Sequence, residues 1–185
     1  RGQVQDIELA ADADGKVTGV RARLLADMGA YLQLVTPGIP LLGAFLYHGV
    51  YDIPAYSFTC QGLFTNLPPT DAYRGAGRPE ASYAIERAMD ALAREIGVTP
   101  EEIRRRNYIP SDAFPYDSPA GLVFDSGDYE PTLDRALELA KVPELRAEQQ
   151  RLRDEGSGTQ LGIGLCTYVE MCGLAPSRVL ASLNY

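Results

Sequence analysis

Residues 73–78 read Tyr-Arg-Gly-Ala-Gly-Arg, and Pro79 follows at the head of the strongest helical pattern in the chain. Arg74 and Arg78 carry planar forks of N–H donors suited to phosphate or oxo oxygens. Glycine at 75 and 77 removes side chains, so that a ligand can approach the main-chain N–H groups. The first turn of the following helix adds partial positive charge. Together these residues suit an anion or an oxo-bearing group. A plain helix-opening turn is the other reading, and spacing alone does not separate the two. The stretch is not a dinucleotide fingerprint, because Glu80 stands where the third glycine belongs and no βαβ unit precedes it. It is not a P-loop either, since Gly-Lys-Ser/Thr is absent.

Other chemistry-bearing residues are sparse. His48 is the single histidine, between Tyr47 and Gly49, with no carboxylate close in sequence; a packed histidine is the favoured reading over a ligand or catalyst. With one histidine and three scattered cysteines, Cys60, Cys166 and Cys172, there is no zinc cluster, and no metal-ligating residue is assigned. The cysteine count is odd and each cysteine sits among apolar residues, so buried thiols in a reducing cytoplasm are expected. A Ser-His-Asp triad would have to use His48, and no nucleophile-elbow motif accompanies it. The acidic turn at 12–16 lacks an EF-hand register and reads as a turn with Gly15 at positive φ. Arg104, Arg105 and Arg106 read as a solvated or salt-bridged face at a helix C-terminus. Glu170 reads as a partly buried strand carboxylate with no catalytic role.

The elements that must position this loop follow from periodicity. Residues 3–10 and 17–27 alternate and form an antiparallel hairpin, and residues 55–65 form another strand. Residues 28–50 read as a packed loop with short helical turns. Pro68 and Pro69 stiffen the approach to the loop. In the helix from Pro79, Ala81, Ile85, Ala88, Leu92 and Ile96 make one apolar face, leaving Glu86, Arg87, Asp90 and Arg94 outside it. Gly97 stops that helix, and Thr99 caps a second one that ends in Arg104-Arg105-Arg106-Asn107. Residues 108–128 are rich in Pro, Ser, Asp and Gly and read as a surface linker, with a domain boundary near Pro110. Helices are expected over 129–140 and 143–154, then strands over 161–171 and 179–183. The expected class is α+β, with mixed or antiparallel sheets and packed helices, divided into 1–110 and 111–185.

A net charge of −8 argues against a nucleic-acid surface. No apolar run approaches the roughly 18–20 residues that span a bilayer. No targeting segment is legible. Arg1 and Tyr185 both lie in strand-like sequence, and the expectation is an internal fragment of a longer protein.

The run from Thr65 through Pro110 resembles the molybdenum-binding large subunit of the xanthine dehydrogenase, aldehyde oxidase and carbon monoxide dehydrogenase family. The A-Y-R-G-A-G-R-P-E-A core and E-E-I-R-R-R-N carry the resemblance. L-A-D-M-G-A-Y-L before them, and F-D-S-G-D-Y-E-P and L-G-I-G-L-C-T-Y-V-E-M-C-G after them, extend it over nearly the whole chain. It implies parts of two molybdenum-cofactor-binding domains and a molybdopterin cofactor, of the cytosine dinucleotide form in bacterial relatives. It also implies hydroxylation with water as oxygen source, electrons passing to Fe-S and FAD centres on partner subunits or domains, and a dimer of heterotrimers. Tyr73, Arg74, Gly75, Ala76 and Gly77 would face the molybdenum centre, with Arg74 assisting the metal site or a substrate oxygen. Gly75 takes the place of the cysteine that marks CO-oxidising relatives. Ala76 takes that of a substrate-stacking phenylalanine, and Leu42 that of an arginine, in xanthine-oxidising relatives. The family's glycine-rich cofactor loop and general-base glutamate are not found in the sequence, so this fragment alone is expected to be inactive. The rival reading is a non-catalytic anion-binding or assembly domain.

Overall fold

The computed structural model describes residues 2–156 and 158–172. A three-stranded sheet has the order β1–β2–β3, with β1 Gln3–Ala11, β2 Val17–Gly29 and β3 Ala55–Phe64. β1 and β2 form the expected antiparallel hairpin, from Gln3 opposite Ala26 to Ala10 opposite Gly19. Asp12 holds its turn, accepting the N–H groups of Asp14 and Lys16 at 3.0 and 2.8 Å, while Gly15 takes φ of 81°. Along β2, Val20, Ala22, Leu24 and Ala26 point inward. Arg21 and Arg23 point outward, and both pair with Glu8 on β1.

β3 runs parallel to β2, from Gly19 opposite Ala55 to Gly29 opposite Phe64. A parallel neighbour requires a crossover. Residues 30–54 supply it, through the short helix α1 Gly38–Gly43 and a 3-10 turn at Ala44–Leu46. The sheet is therefore mixed, and the domain is α+β as expected.

The long helix α2, Arg78–Ile96, buries Ala81, Ala84, Ile85, Met89 and Ala93. Ala88, Leu92 and Ile96 of the predicted stripe are only half-buried, so the face is rotated slightly. Full burial of a side chain such as Ile85 contributes about 1.5–3 kcal/mol. The rotation also brings Glu86 inside, although the apolar stripe placed it on the polar side; it is 4% exposed. Gly97 ends the helix in the left-handed region at φ 74°, its N–H bonding the Ala93 carbonyl.

Thr99 caps α3, Pro100–Asn107, by accepting the Glu102 N–H at 3.1 Å. Asn107 closes it, fully buried. Its amide donates to the Gly15 and Ile103 carbonyls at 2.9 and 2.8 Å and accepts the Val17 N–H at 2.7 Å. One side chain thus ties α3 to the β1–β2 turn.

Residues 108–128 are not a bare surface linker. They form a small hairpin, β4 Tyr116–Asp117 with β5 Val123–Phe124, and they bury Tyr108, Ile109 and Phe124. The prolines and glycines punctuate turns, while the aromatic residues between them pack inward. Helix α4, Tyr129–Leu139, lays Leu133 into the core. The charged helix α5, Val142–Asp154, buries none of its residues.

Residues 161–172 alternate between half-buried and exposed, as a strand would, but pair with no strand among the described residues. Several of their backbone groups bond side chains instead: Arg104 reaches the Leu165 carbonyl, Glu86 the Thr167 N–H and Arg78 the Met171 carbonyl. The expected strand at 179–183 lies outside the described residues. The cysteines are free thiols but not buried ones: Cys60 is partly exposed, and Cys166 and Cys172 are exposed. Their apolar neighbours misled, because every second residue of an extended segment faces outward.

Candidate functional site

Residues 73–77 lead straight into α2 through three successive residues at positive φ: Gly75 at 99°, Ala76 at 41° and Gly77 at 93°. Two turn bonds hold them, Ala76 N–H to the Tyr73 carbonyl at 2.8 Å and Arg78 N–H to the Gly75 carbonyl at 2.9 Å. A left-handed residue with a Cβ costs roughly 1–2 kcal/mol, so Ala76 is held there by its surroundings; it is buried.

Both glycines are packed closely against the rest of the chain. A Cβ on Gly77 would lie 1.9 Å from the Ile39 carbonyl oxygen, and one on Gly43 would lie 2.9 Å from the Gly77 carbonyl oxygen. Helix α1 therefore rests with its backbone directly on the loop. A Cβ on Gly75 would meet Pro79 Cγ at 2.7 Å. All three loop residues 75–77 are buried. Leu42 sits half-buried on α1, next to Gly43.

The two arginines separate. Arg74 is exposed and makes no hydrogen bond or ion pair with any described residue. It precedes a 19-residue helix whose N-terminus has no side-chain cap. Tyr73 beside it is 79% exposed. The Arg78 side chain is only 12% exposed and is held within the protein. Its Nε donates to the Gly75 carbonyl at 2.9 Å and lies 2.8 Å from Glu170 Oε1, and Nη1 donates to the Met171 carbonyl at 2.9 Å. Arg78 is thus withdrawn from the anion cradle. Glu170 is its partner at the surface, more exposed than the expected half-buried carboxylate.

Sequence reasoning missed a second polar centre, behind the loop. Glu86 on α2 accepts Arg104 Nε at 3.0 Å, the Thr167 N–H at 2.8 Å and the Tyr51 hydroxyl. Arg104 adds an ion pair to Asp90 at 3.0 Å and donates to the Pro100 and Leu165 carbonyls at 2.8 and 3.1 Å. Burial, and then the Glu86 carboxylate beside it, push the Tyr51 hydroxyl well above its usual pKa, so it stays a donor. The signal was present in the α2 pattern: Met89 and Ala93 stand three and seven residues after Glu86, on the same face.

His48 is packed, as favoured. It is fully buried between Tyr56 and Phe124, at ring-centroid distances of 6.2 and 5.5 Å. Neither ring nitrogen has a hydrogen-bond partner among the described residues. Burial pushes its pKa down to about 4, opposed by the adjacent backbone of Phe45 and Tyr51, so the ring is neutral and apolar in behaviour.

The small α+β domain thus sets at the head of its longest helix a guanidinium that has no partner among the described residues. A family model described as the molybdopterin cofactor-binding domain matches residues 1–108, which take in the sheet, the loop, α2 and α3. The chain belongs to that family. It is 41% identical over 178 residues to the carbon monoxide dehydrogenase large chain of Hydrogenophaga pseudoflava, covering 94% of this chain and 22% of that protein. It is 37% identical over 174 residues to the nicotine 6-hydroxylase large subunit of Paenarthrobacter nicotinovorans, covering 92% of this chain and 21% of that protein. Among solved structures, quinoline 2-oxidoreductase from Pseudomonas putida 86 superposes with a TM-score of 0.79 at 33% identity, over 84% of this chain and 20% of that one. The chain thus spans about a fifth of the length of these relatives.

Proposed function

We propose that this chain is part of the large subunit of a molybdenum hydroxylase, an oxidoreductase acting on an aldehyde or an N-heterocycle with water as the oxygen source. Arg74 carries the reading: it is open, its donors are unspent among the described residues, and it lies inside the stretch matched to the molybdopterin cofactor-binding domain. Nicotine and quinoline are N-heterocycles, and two relatives are named for them.

The residues present fit one wall of such a site. A guanidinium beside the positive end of α2 suits oxygens that bear negative charge. When bound, molybdopterin, here in its cytosine dinucleotide form, supplies the redox chemistry. The chain's own part is to orient and to stabilise charge. With the cofactor bound, Arg74 would donate hydrogen bonds to an oxygen of that group or of the substrate. Tyr73, Gly75, Ala76 and Gly77 shape the loop that presents it. Gly75, in place of the cysteine of CO-oxidising relatives, removes CO as substrate despite the similarity to a carbon monoxide dehydrogenase large chain. Ala76 and Leu42 remove the stacking ring and the arginine that a xanthine would use. Partner subunits carrying Fe-S and FAD centres take the electrons, in a dimer of heterotrimers in the cytoplasm. Residues 1–110 belong to the first cofactor-binding domain, and residues 111–185 comprise a linker and the start of the second.

Metal and pterin content of the full-length protein from its native host tests the reading: both should be present, and the absence of both ends it. In that holoenzyme, Arg74→Ala should lower turnover at least about tenfold, equivalent to about 1.4 kcal/mol at the transition state. Unchanged turnover with cofactor retained removes Arg74 from the site.

A further inference from the structure

Arg78 faces inward, and what it grips has no role in the reading so far. Its backbone belongs to the first residue of α2, so its position is set by that helix. Its side chain turns back over the loop and binds three groups: the Gly75 carbonyl at 2.9 Å, Glu170 Oε1 at 2.8 Å and the Met171 carbonyl at 2.9 Å. The first is in the loop and the other two are in the extended segment 161–172. Arg78 is therefore a bolt between the loop and that segment.

The segment has its own anchor. Three residues before Glu170, the Thr167 N–H donates to Glu86 Oε2 at 2.8 Å, and Thr167 Oγ1 lies 3.3 Å from Glu86 Oε1 and 3.1 Å from the Tyr51 hydroxyl. Arg104 Nη2 donates to the Leu165 carbonyl at 3.1 Å. The buried Glu86–Arg104 pair thus fastens the segment at 165–167. Glu170, at its far end, fastens the loop.

We propose that Glu170 is a positioning residue: it fixes the Arg78 guanidinium on the Gly75 carbonyl and so holds residues 73–77 in the form that presents Arg74. The proposal rests on the place given above to that loop beside the cofactor. The loop needs such a hold at Ala76, which carries a Cβ at φ 41° between two glycines that take positive φ easily. The pair is also better placed than an ordinary surface ion pair, which contributes little, since the Arg78 side of it is 12% exposed and bound to two backbone carbonyls. Glu170 touches no reacting group in this arrangement; its effect passes through Arg78.

The test uses the full-length holoenzyme with Glu170→Gln and, separately, Arg78→Lys, which keeps the charge and loses the fork. Hydrogen exchange is followed in a peptide spanning 73–78 and in one spanning the centre of α2, alongside molybdenum content, kcat and KM. Exchange across 73–78 should quicken about tenfold in both variants while the centre of α2 stays protected, as expected of a local opening. With molybdenum content retained, kcat should fall about fivefold and KM move less than about twofold, the split expected when orientation rather than binding is lost. Unchanged exchange in both variants overturns the latch. Quicker exchange with unchanged kcat leaves the latch in place but overturns the loop's role in the reaction, and the positioning role with it. Should Glu170→Gln fail to accumulate as folded protein, Arg78→Lys carries the same readings.

Discussion

Two arginines, Arg74 ahead of α2 and Arg104 on α3, are the same side chain used in opposite ways. In the loop, Arg74 is open and bonded to nothing described, whereas in α3, Arg104 is completely buried with every arm of its guanidinium engaged. Its neighbours on α3 grade outward: Arg105 pairs with Asp134 and Glu130, and Arg106 with Glu102. Salt-bridging therefore holds for all three α3 arginines, but solvation does not hold for Arg104. The difference lies in the carboxylates that the fold delivers, not in the arginines. Where Glu86 and Asp90 come to meet it, a guanidinium becomes a strut joining α2, α3 and the 165–167 segment. Where no carboxylate comes, as at Arg74, it is left without a partner among the described residues.

The sharpest way to break that contrast is to remove the strut. Arg104→Met keeps the bulk and deletes the charge, leaving Glu86 buried without its main partner. Such a loss costs about 3–5 kcal/mol, read as a lower midpoint in denaturant unfolding of the chain. Adding Glu86→Leu should recover a large part of it, because the stranded charge is then gone as well. A cost under about 1 kcal/mol for Arg104→Met alone would mean that water reaches the pair and that the strut does not exist.

His48 offers the opposite answer to burial. Arg104 keeps its charge through partners, whereas His48, without them, gives its charge up. Its folded pKa lies near 4 against an ordinary value of 6.5. Above pH 6.5 the ring is neutral in both states, and its contribution to stability is fully present. As pH falls from 6.5 towards 4, only the unfolded chain takes up the proton, so stability declines, by about 3 kcal/mol at most. Tyr56 and Phe124, the rings it packs against, carry no charge in that range. Substituting His48→Phe should flatten this part of the pH–stability profile; an unchanged slope would place the proton uptake elsewhere.

The loop's own architecture comes next in size. Gly77→Ala puts a Cβ into the Ile39 carbonyl at a residue with φ of 93°. Left-handed strain and overlap with backbone, which cannot swing aside as a side chain can, should together cost about 2–3 kcal/mol. Equal stability of Gly77→Ala and the parent would show that α1 does not rest on the loop.

Much of this was legible in the sequence for a simple reason: alternation and helical spacing report which face is apolar, and they placed the hairpin, β3, α2, α3 and the two later helices. The α3 cap was readable because Thr99 and Glu102 are local partners. Long-range polar pairing was not. Glu86 meets Arg104, 18 residues on, and Thr167, 81 residues on, and nothing local marks either contact. Asn107 is similar: its partners at Gly15 and Val17 lie about ninety residues away. In the loop, the glycines stand out in the sequence, but the backbone packed against them does not. Composition says that space is needed at 75 and 77, and only coordinates say that α1 and Pro79 fill it. Residues 108–128 went astray because Pro, Gly and Ser mark turns without saying whether the aromatic residues between them find a core.

The smallest expected effect is the one that gives the contrast its functional meaning. Arg74→Ala should change the stability of the chain by no more than roughly 0.5 kcal/mol, the range of surface substitutions that break no contact. No described partner loses a bond, no charge is stranded, and the φ values of the loop are carried by Gly75, Ala76 and Gly77 rather than by residue 74. If the measured loss approaches that of Arg104→Met, Arg74 is a second strut, and reduced turnover in its variant says nothing about chemistry. If stability is unchanged and turnover in the holoenzyme falls, the guanidinium acts on what lies in front of the loop.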